Sequence, residues 1–139
     1  LNKKRITLKP ILKWVTHVAQ VKNLPVNHPI VYGLTFITKK NTKIAVIPQG
    51  YSDGVPRLLS NNGKVLIKGK EAKILGRVAM NMLIVDVSHI KDVMPDDEVV
   101  ILGKQGNKEI KAEDIAAESM TINYEVPTRI NALLKKNIV

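Results

Sequence analysis

The sequence predicts a mainly β fold, a partly open β-barrel of short strands with one or two short helices near the C-terminus. Three observations carry this reading. Across residues 14–102 the apolar residues fall in short runs rich in Val and Ile, and Gly, Pro and Asn divide those runs at close intervals. After Ile110 the pattern changes to helix formers with acids in the leading turn. Short β-branched runs bounded by turn residues mark strands, and several at such spacing suit a barrel or sandwich.

Taken in order, the candidate strands are residues 15–24, 29–38, 43–48, 65–67, 72–77, 80–87 and 98–102. The breaks between them have turn chemistry. Asn61-Asn62-Gly63 supplies residues that tolerate positive φ, Gly69 separates two candidates, and Gly103-Lys104-Gln105-Gly106-Asn107 is a hairpin-like break. Residues 111–119 read as one short helix, because Glu113 and Asp114 stand where the helix dipole favours negative charge. Residues 121–124 read as a further helical turn, which Pro127 interrupts before the segment 130–134. No internal repeat or low-complexity segment is present.

With 139 residues the chain has room for a single domain, residues 1–139, and its 45% hydrophobic content excludes a disordered tail. It has no cysteine, which excludes a disulfide scaffold, thiolate zinc sites and thiol catalysis and fits a reducing cytoplasm. The 22 basic against 12 acidic residues give a net charge of +10, a surface that attracts phosphates and nucleic acid non-specifically. These cations are scattered, as in Lys3, Lys4 and Arg5, then Lys39, Lys40 and Lys43, then Lys64, Lys68, Lys70 and Lys73. Spread in this way they read first as solvated faces and strand-edge gatekeepers. No apolar run approaches the ~18 residues of a membrane span, so the expected location is cytoplasmic. Residue 1 is Leu rather than Met, and the chain is therefore expected to be a piece of a longer protein.

Standard catalytic motifs are missing. The glycines at 50 and 54 lack the Lys-Ser/Thr of a phosphate loop, His17, His28 and His89 lack metal-ligand spacing, and Asp96-Asp97-Glu98 reads as a solvated turn, so no metal is expected. The conspicuous residues are tyrosines, three in a chain with one Trp and one Phe besides. They stand in Val31-Tyr32-Gly33, in Gln49-Gly50-Tyr51-Ser52-Asp53-Gly54-Val55-Pro56-Arg57 and in Ile122-Asn123-Tyr124-Glu125. A fourth segment, Gly76-Arg77-Val78-Ala79-Met80-Asn81-Met82, is followed by Val85-Asp86-Val87.

These segments, in this order, resemble the C-terminal domain of the alanine racemases, the fold-type III pyridoxal-phosphate enzymes. The likeness begins near Lys9-Pro10-Ile11-Leu12, continues through Val18-Ala19-Gln20-Val21-Lys22 and Val31-Tyr32-Gly33-Leu34-Thr35-Phe36, and reaches Thr121-Ile122-Asn123-Tyr124-Glu125. The resemblance implies a β-domain whose companion, an N-terminal α/β barrel holding pyridoxal 5'-phosphate on a lysine, is absent from this chain. The isolated domain is then expected to be inactive, and the complete homodimeric enzyme to interconvert L- and D-alanine for the peptidoglycan of the cell wall.

Residue roles follow from the same resemblance. Racemisation needs a proton acceptor on each face of the substrate Cα. The family places the cofactor lysine on one face and, from the partner's C-terminal domain, a tyrosine on the other. That tyrosine corresponds to Tyr32, and the step of 48 positions from Tyr32 to Met80 resembles the family's separation of base and substrate-binding methionine. A phenol ordinarily titrates at about 10, so such a base relies on cations or hydrogen bonds that favour its phenolate. The resemblance implies that Met80 gives its backbone N–H to the substrate carboxylate and that Tyr124 contacts the cofactor phosphate. Tyr51 would narrow the inner entrance, and Arg57 and Arg77 would line the entrance corridor for a carboxylate substrate.

Two departures stand out. Asn81 occupies a position where many members carry Asp, which keeps open a racemase of another amino acid, and residues 129–136 lack the family's usual arginine- and proline-containing close. A basic β-barrel that binds nucleic acid is an alternative from a different class, disfavoured by the shortage of aromatic stacking platforms. A stand-alone dimerisation module is a third.

Overall fold

The computed structural model describes residues 9–138, so the basic residues Lys3, Lys4 and Arg5 lie outside the described residues. In chain order the elements are β1 (Trp14–His17), β2 (Gln20–Leu24), β3 (Thr42–Ile47), β4 (Lys64–Ile67), β5 (Lys70–Lys73), β6 (Leu83–Asp86), β7 (Glu98–Gln105), β8 (Lys108–Ile110), α1 (Ala112–Glu118) and α2 (Glu125–Arg129). The expected β architecture takes the form of two antiparallel sheets that do not close into a barrel. The larger has the order β1-β7-β4-β5 with β8 also on β7, and the smaller the order β2-β3-β6.

Burial explains the strand patterns. In β7 the run Val99 to Leu102 is buried throughout, as is Val65 to Ile67 in β4, because both strands are central and covered on both faces. In β6, Leu83 and Val85 are buried while Ile84 and Asp86 are half-buried, the alternation of a strand with one covered face. Only Ala72 of β5 is buried, and its charged neighbours Lys70, Glu71 and Lys73 blunt an exposed edge. Ala45, Ile47, Leu83 and Val85 of the small sheet share one apolar cluster with β4, β7, α1 and α2. A second, smaller cluster joins Ile30 to Ile44 and Leu75.

Two tight hairpins set the register of the larger sheet. Ile67 pairs with Lys70, so Lys68 and Gly69 form the loop, with φ of +50° and +71°. Gln105 pairs with Lys108 across Gly106 and Asn107, a hairpin that adds β8, a strand not anticipated from the sequence. Two positive φ values in a two-residue loop give the twist that strand pairs need.

Several segments depart from expectation. Residues 15–24 form two strands, since the chain turns at Val18 and Ala19 and passes between sheets; Val18 N–H donates to Asp97 O and Ala19 N–H to Val46 O, both at 2.9 Å. Residues 29–38 form a loop closed by a single bridge, Pro29 to Ile37. The 72–77 candidate pairs as a strand only through Lys73, with an isolated bridge from Ile74 to Val85. α1 matches its expected position, with Asp114 Oδ2 accepting the Lys111 N–H at 2.8 Å. Pro127 lies inside α2 rather than interrupting it; third in the helix, it occupies the first turn, where a missing N–H loses no helical bond. No helix among the described residues is long and apolar enough to cross a membrane.

Candidate active site

Three loops meet where the site lies: residues 30–35, 50–58 and 76–82. The middle one is shaped by close backbone approach. A Cβ on Gly50 would overlap the Ala79 and Met80 carbonyls, so no larger residue fits without moving them. The Gly50 N–H donates to Asp53 Oδ2 at 2.8 Å, and the N–H groups of Asp53 and Val55 both return to the Gly50 carbonyl at 3.1 Å. This fixes a 3-10 turn over Tyr51–Asp53 and leaves the Tyr51 ring exposed. The segment after α2 seals its rear, Asn131 N–H donating to Asp53 O at 3.0 Å and Asn131 Nδ2 to Ser52 O at 3.1 Å.

The same turn carries the third loop. Tyr51 N–H donates to Ala79 O at 3.0 Å and Ser52 N–H to Met80 O at 2.9 Å, while the Ser52 hydroxyl donates to that Met80 carbonyl at 2.7 Å. Val78 and Ala79 are buried, and Met80, Asn81 and Met82 are exposed. The Met80 carbonyl thus has two donors, whereas among the described residues nothing accepts a hydrogen bond from the Met80 N–H.

The first loop departs furthest from regular backbone. Val31, Gly33 and Leu34 have φ of +58°, +75° and +50°. A β-branched residue pays about 1–3 kcal/mol for such a conformation, so the surroundings must impose it. They do so at both ends. Ile30 is buried against Ile44 and Leu75, and buried Thr38 accepts the His28 N–H at 2.7 Å while its hydroxyl donates to Pro25 O at 2.6 Å. Tyr32 projects from this turn with 78% of its surface exposed. A Cβ on Gly33 would lie 3.3 Å from Arg77 Nε, which places a guanidinium beside the turn.

Together the loops line a cleft of about 670 Å³ containing Tyr32, Tyr51, Arg57, Arg77, Met80 and Asn81. A flanking depression of about 520 Å³ shares both arginines and adds Thr35, Leu58, Ser60 and Asn61. The cleft lining includes no acid and no lysine, and among the described residues neither arginine forms an ion pair. Two unpaired guanidiniums, an unengaged N–H and two phenols suit a small anion, a carboxylate above all. Tyr124 lies outside the cleft, exposed at the residue before α2. Sequence reasoning named the residues that project into the cleft and missed those that hold them, namely Ser52, Asp53, Ser60, Asn61 and Asn131. Asp53, three residues after Gly50, was the one legible signal, since a short carboxylate at that spacing can close a turn on a backbone N–H.

Comparison with known proteins decides the family. The profile described as "Alanine racemase, C-terminal domain" matches residues 11–138. The chain belongs to the alanine racemase C-terminal domain family. The alanine racemase of Halothermothrix orenii is 49% identical over 121 residues, covering 87% of this chain and 32% of that protein. The alanine racemase of Leptospira interrogans is 42% identical over 136 residues, covering 98% of this chain and 35% of that protein. The chain thus spans about a third of the length of these relatives. Among solved structures, the Bacillus anthracis alanine racemase with bound L-Ala-P superposes with a TM-score of 0.86 at 35% identity, over 91% of this chain and 32% of that one. The Bartonella henselae alanine racemase with covalently bound pyridoxal phosphate gives 0.84 at 29% identity, over 93% of this chain and 35% of that one. No lysine lines the cleft of this chain, and its phenols and the Met80 N–H are donors suited to oxyanions.

Proposed function

We propose that residues 1–139 are the C-terminal β-domain of a pyridoxal-phosphate-dependent alanine racemase, completed by an N-terminal barrel domain and working as a cytoplasmic homodimer that supplies D-alanine for peptidoglycan. The observation that carries this reading is the convergence of Tyr32, Tyr51, Arg57, Arg77 and Met80, drawn from three separated loops, on one cleft. Bound pyridoxal phosphate would supply the electron sink that makes the substrate Cα–H acidic.

This chain's residues do the rest on their face of the substrate. The Tyr32 Oη takes the Cα proton of L-alanine, and in the reverse direction returns a proton to the same face. The Met80 N–H holds the substrate carboxylate, the Tyr51 N–H having fixed that peptide through the Ala79 carbonyl. Arg57 and Arg77 draw the carboxylate inward, Tyr51 narrows the passage, and Tyr124, exposed outside this cleft, would help hold the cofactor phosphate through its hydroxyl.

The test uses the full-length protein: cofactor absorbance and circular-dichroism assays of racemisation from both enantiomers, in wild type and Tyr32→Phe. Loss of proton removal from L-alanine with the cofactor still bound is the expected result. A comparable loss from Tyr51→Phe alone would reassign the base.

Asn81 supports a second reading, a racemase of another amino acid, because its neutral side chain lines the cleft. Asn81→Asp is expected to change the ratio of KM values between alanine and larger amino acids; an unchanged ratio removes the support for it.

A further inference from the structure

Asn61 stands where the three site loops are joined, in a turn whose sequence suggests only a hairpin. Its backbone is left-handed, with φ of +60°, a conformation that Asn adopts more readily than most residues. Its side chain then faces two ways. Oδ1 accepts the Gly76 N–H at 2.7 Å, and Nδ2 donates to Thr35 O at 3.4 Å. The orientation of the amide is dictated by its partners, since an N–H can only donate and a carbonyl can only accept. The Asn61 N–H adds a bond to Gly76 O at 3.1 Å, and the preceding Ser60 Oγ accepts the Val78 N–H at 2.9 Å.

These bonds tie the loop bearing Tyr32 to the loop bearing Met80. Thr35 is three residues past Tyr32, and Gly76 begins the segment that reaches Met80. Gly76 is also pressed against the other arm of the Tyr32 loop, as a Cβ there would lie 2.9 Å from Ile30 O. No strand pairing joins residues 30–35 to residues 76–82, so a side chain sets this separation.

We infer that Asn61 is a positioning residue that fixes the distance between the Tyr32 hydroxyl and the Met80 N–H, and with it the alignment of the substrate Cα–H with its base. The inference rests on the proposed roles of Tyr32 and Met80. A misplacement of about 1 Å between reacting groups costs up to roughly 100-fold in rate.

The test is made on the full-length enzyme loaded with pyridoxal phosphate. Asn61→Gly keeps the left-handed backbone and removes both side-chain bonds; Asn61→Asp keeps the acceptor for Gly76 and loses the donor to Thr35. For Asn61→Gly, kcat/KM is expected to fall by roughly 10- to 100-fold, equally in both directions because the two enantiomers have equal free energy. The deciding readout is the primary isotope effect on kcat/KM with Cα-deuterated substrate. Slower transfer at Tyr32 raises it for L-alanine and lowers it for D-alanine, a split that partial unfolding does not produce. Asn61→Asp should show the same split with a smaller loss. A folded Asn61→Gly with wild-type isotope effects overturns the inference, and if that variant fails to fold, unchanged isotope effects in Asn61→Asp overturn it instead. Tyr32→Phe is run in parallel: if it leaves proton removal from L-alanine intact, the assignment of the base has failed rather than the role of Asn61.

Discussion

Residues 65–67 of β4 and residues 76–82 of the site loop are near neighbours in sequence and are held in place by different means. Val65, Leu66 and Ile67 are at most 1% exposed, and Leu66 and Ile67 are paired with strands on both sides. Residues 76–82 have buried Val78 and Ala79 as anchors, and a few hydrogen bonds with Ser52, Ser60 and Asn61 do the aligning. Burial is non-directional and fixes a strand to within its packing, whereas a hydrogen bond between named atoms fixes a backbone group to a few tenths of an ångström. Stability in this domain therefore belongs mainly to the sheets and precision to the loops, and substitutions in the two regions should fail in different ways.

The largest expected contrast pairs one residue from each region. In the full-length protein Tyr32→Phe should slow Cα-proton removal from L-alanine by about 10³-fold, with a melting temperature near that of wild type. Leu66→Ala should do the reverse, costing about 2–5 kcal/mol in a denaturant titration while the remaining folded enzyme keeps its turnover. A Tyr32→Phe protein that melts early, or a Leu66→Ala protein with full stability, would break the division. Gly50→Ala probes the boundary, because its Cβ displaces the Ala79 and Met80 carbonyls. It should cost about 1–3 kcal/mol and raise the KM for alanine together, and a pure stability loss would detach this turn from the site.

The smallest effects are electrostatic and lie away from the site. Lys13, hydrogen-bonded to Glu98 at 3.0 Å, holds that carboxyl below its ordinary value of 4.5. Its contribution to stability is present above pH 4.5 and disappears as the pH falls through the lowered value of the folded state. Burial raises the Glu118 carboxyl, against the opposing pull of Lys64. Its ionisation therefore weakens folding as the pH rises from 4.5 through the raised value of the folded state. At pH 7 Glu98→Gln should lower the melting temperature slightly and Glu118→Gln raise it, and both differences should vanish in strong acid.

The division between regions also governs what could be read from the sequence. β3, β4 and β7 were legible because their apolar runs are dictated by burial, which leaves a pattern in the residues themselves. The corner at Val18 and Ala19 was not, since a change of sheet depends on partners at Asp97 and Val46 that local propensity does not encode. Residues 29–38 carry strand-like composition and form a loop because three positive φ values exclude pairing, and only Gly33 signalled them. The cleft residues could be named through the family resemblance, while their supports, Ser52, Ser60 and Asn61, look in sequence like ordinary turn residues.

The arrangement around Met80 has a consequence for inhibition. If its N–H anchors the substrate carboxylate, an inhibitor that docks a carboxylate or phosphonate on the same atom uses an anchor that almost no codon change can delete. Eighteen of the nineteen replacements keep a main-chain N–H, and the nineteenth, proline, discards the group the substrate itself requires. Escape from such a compound would have to arise at the rim, through Tyr51, Arg57 or Asn81, where side chains rather than the main chain make the contacts.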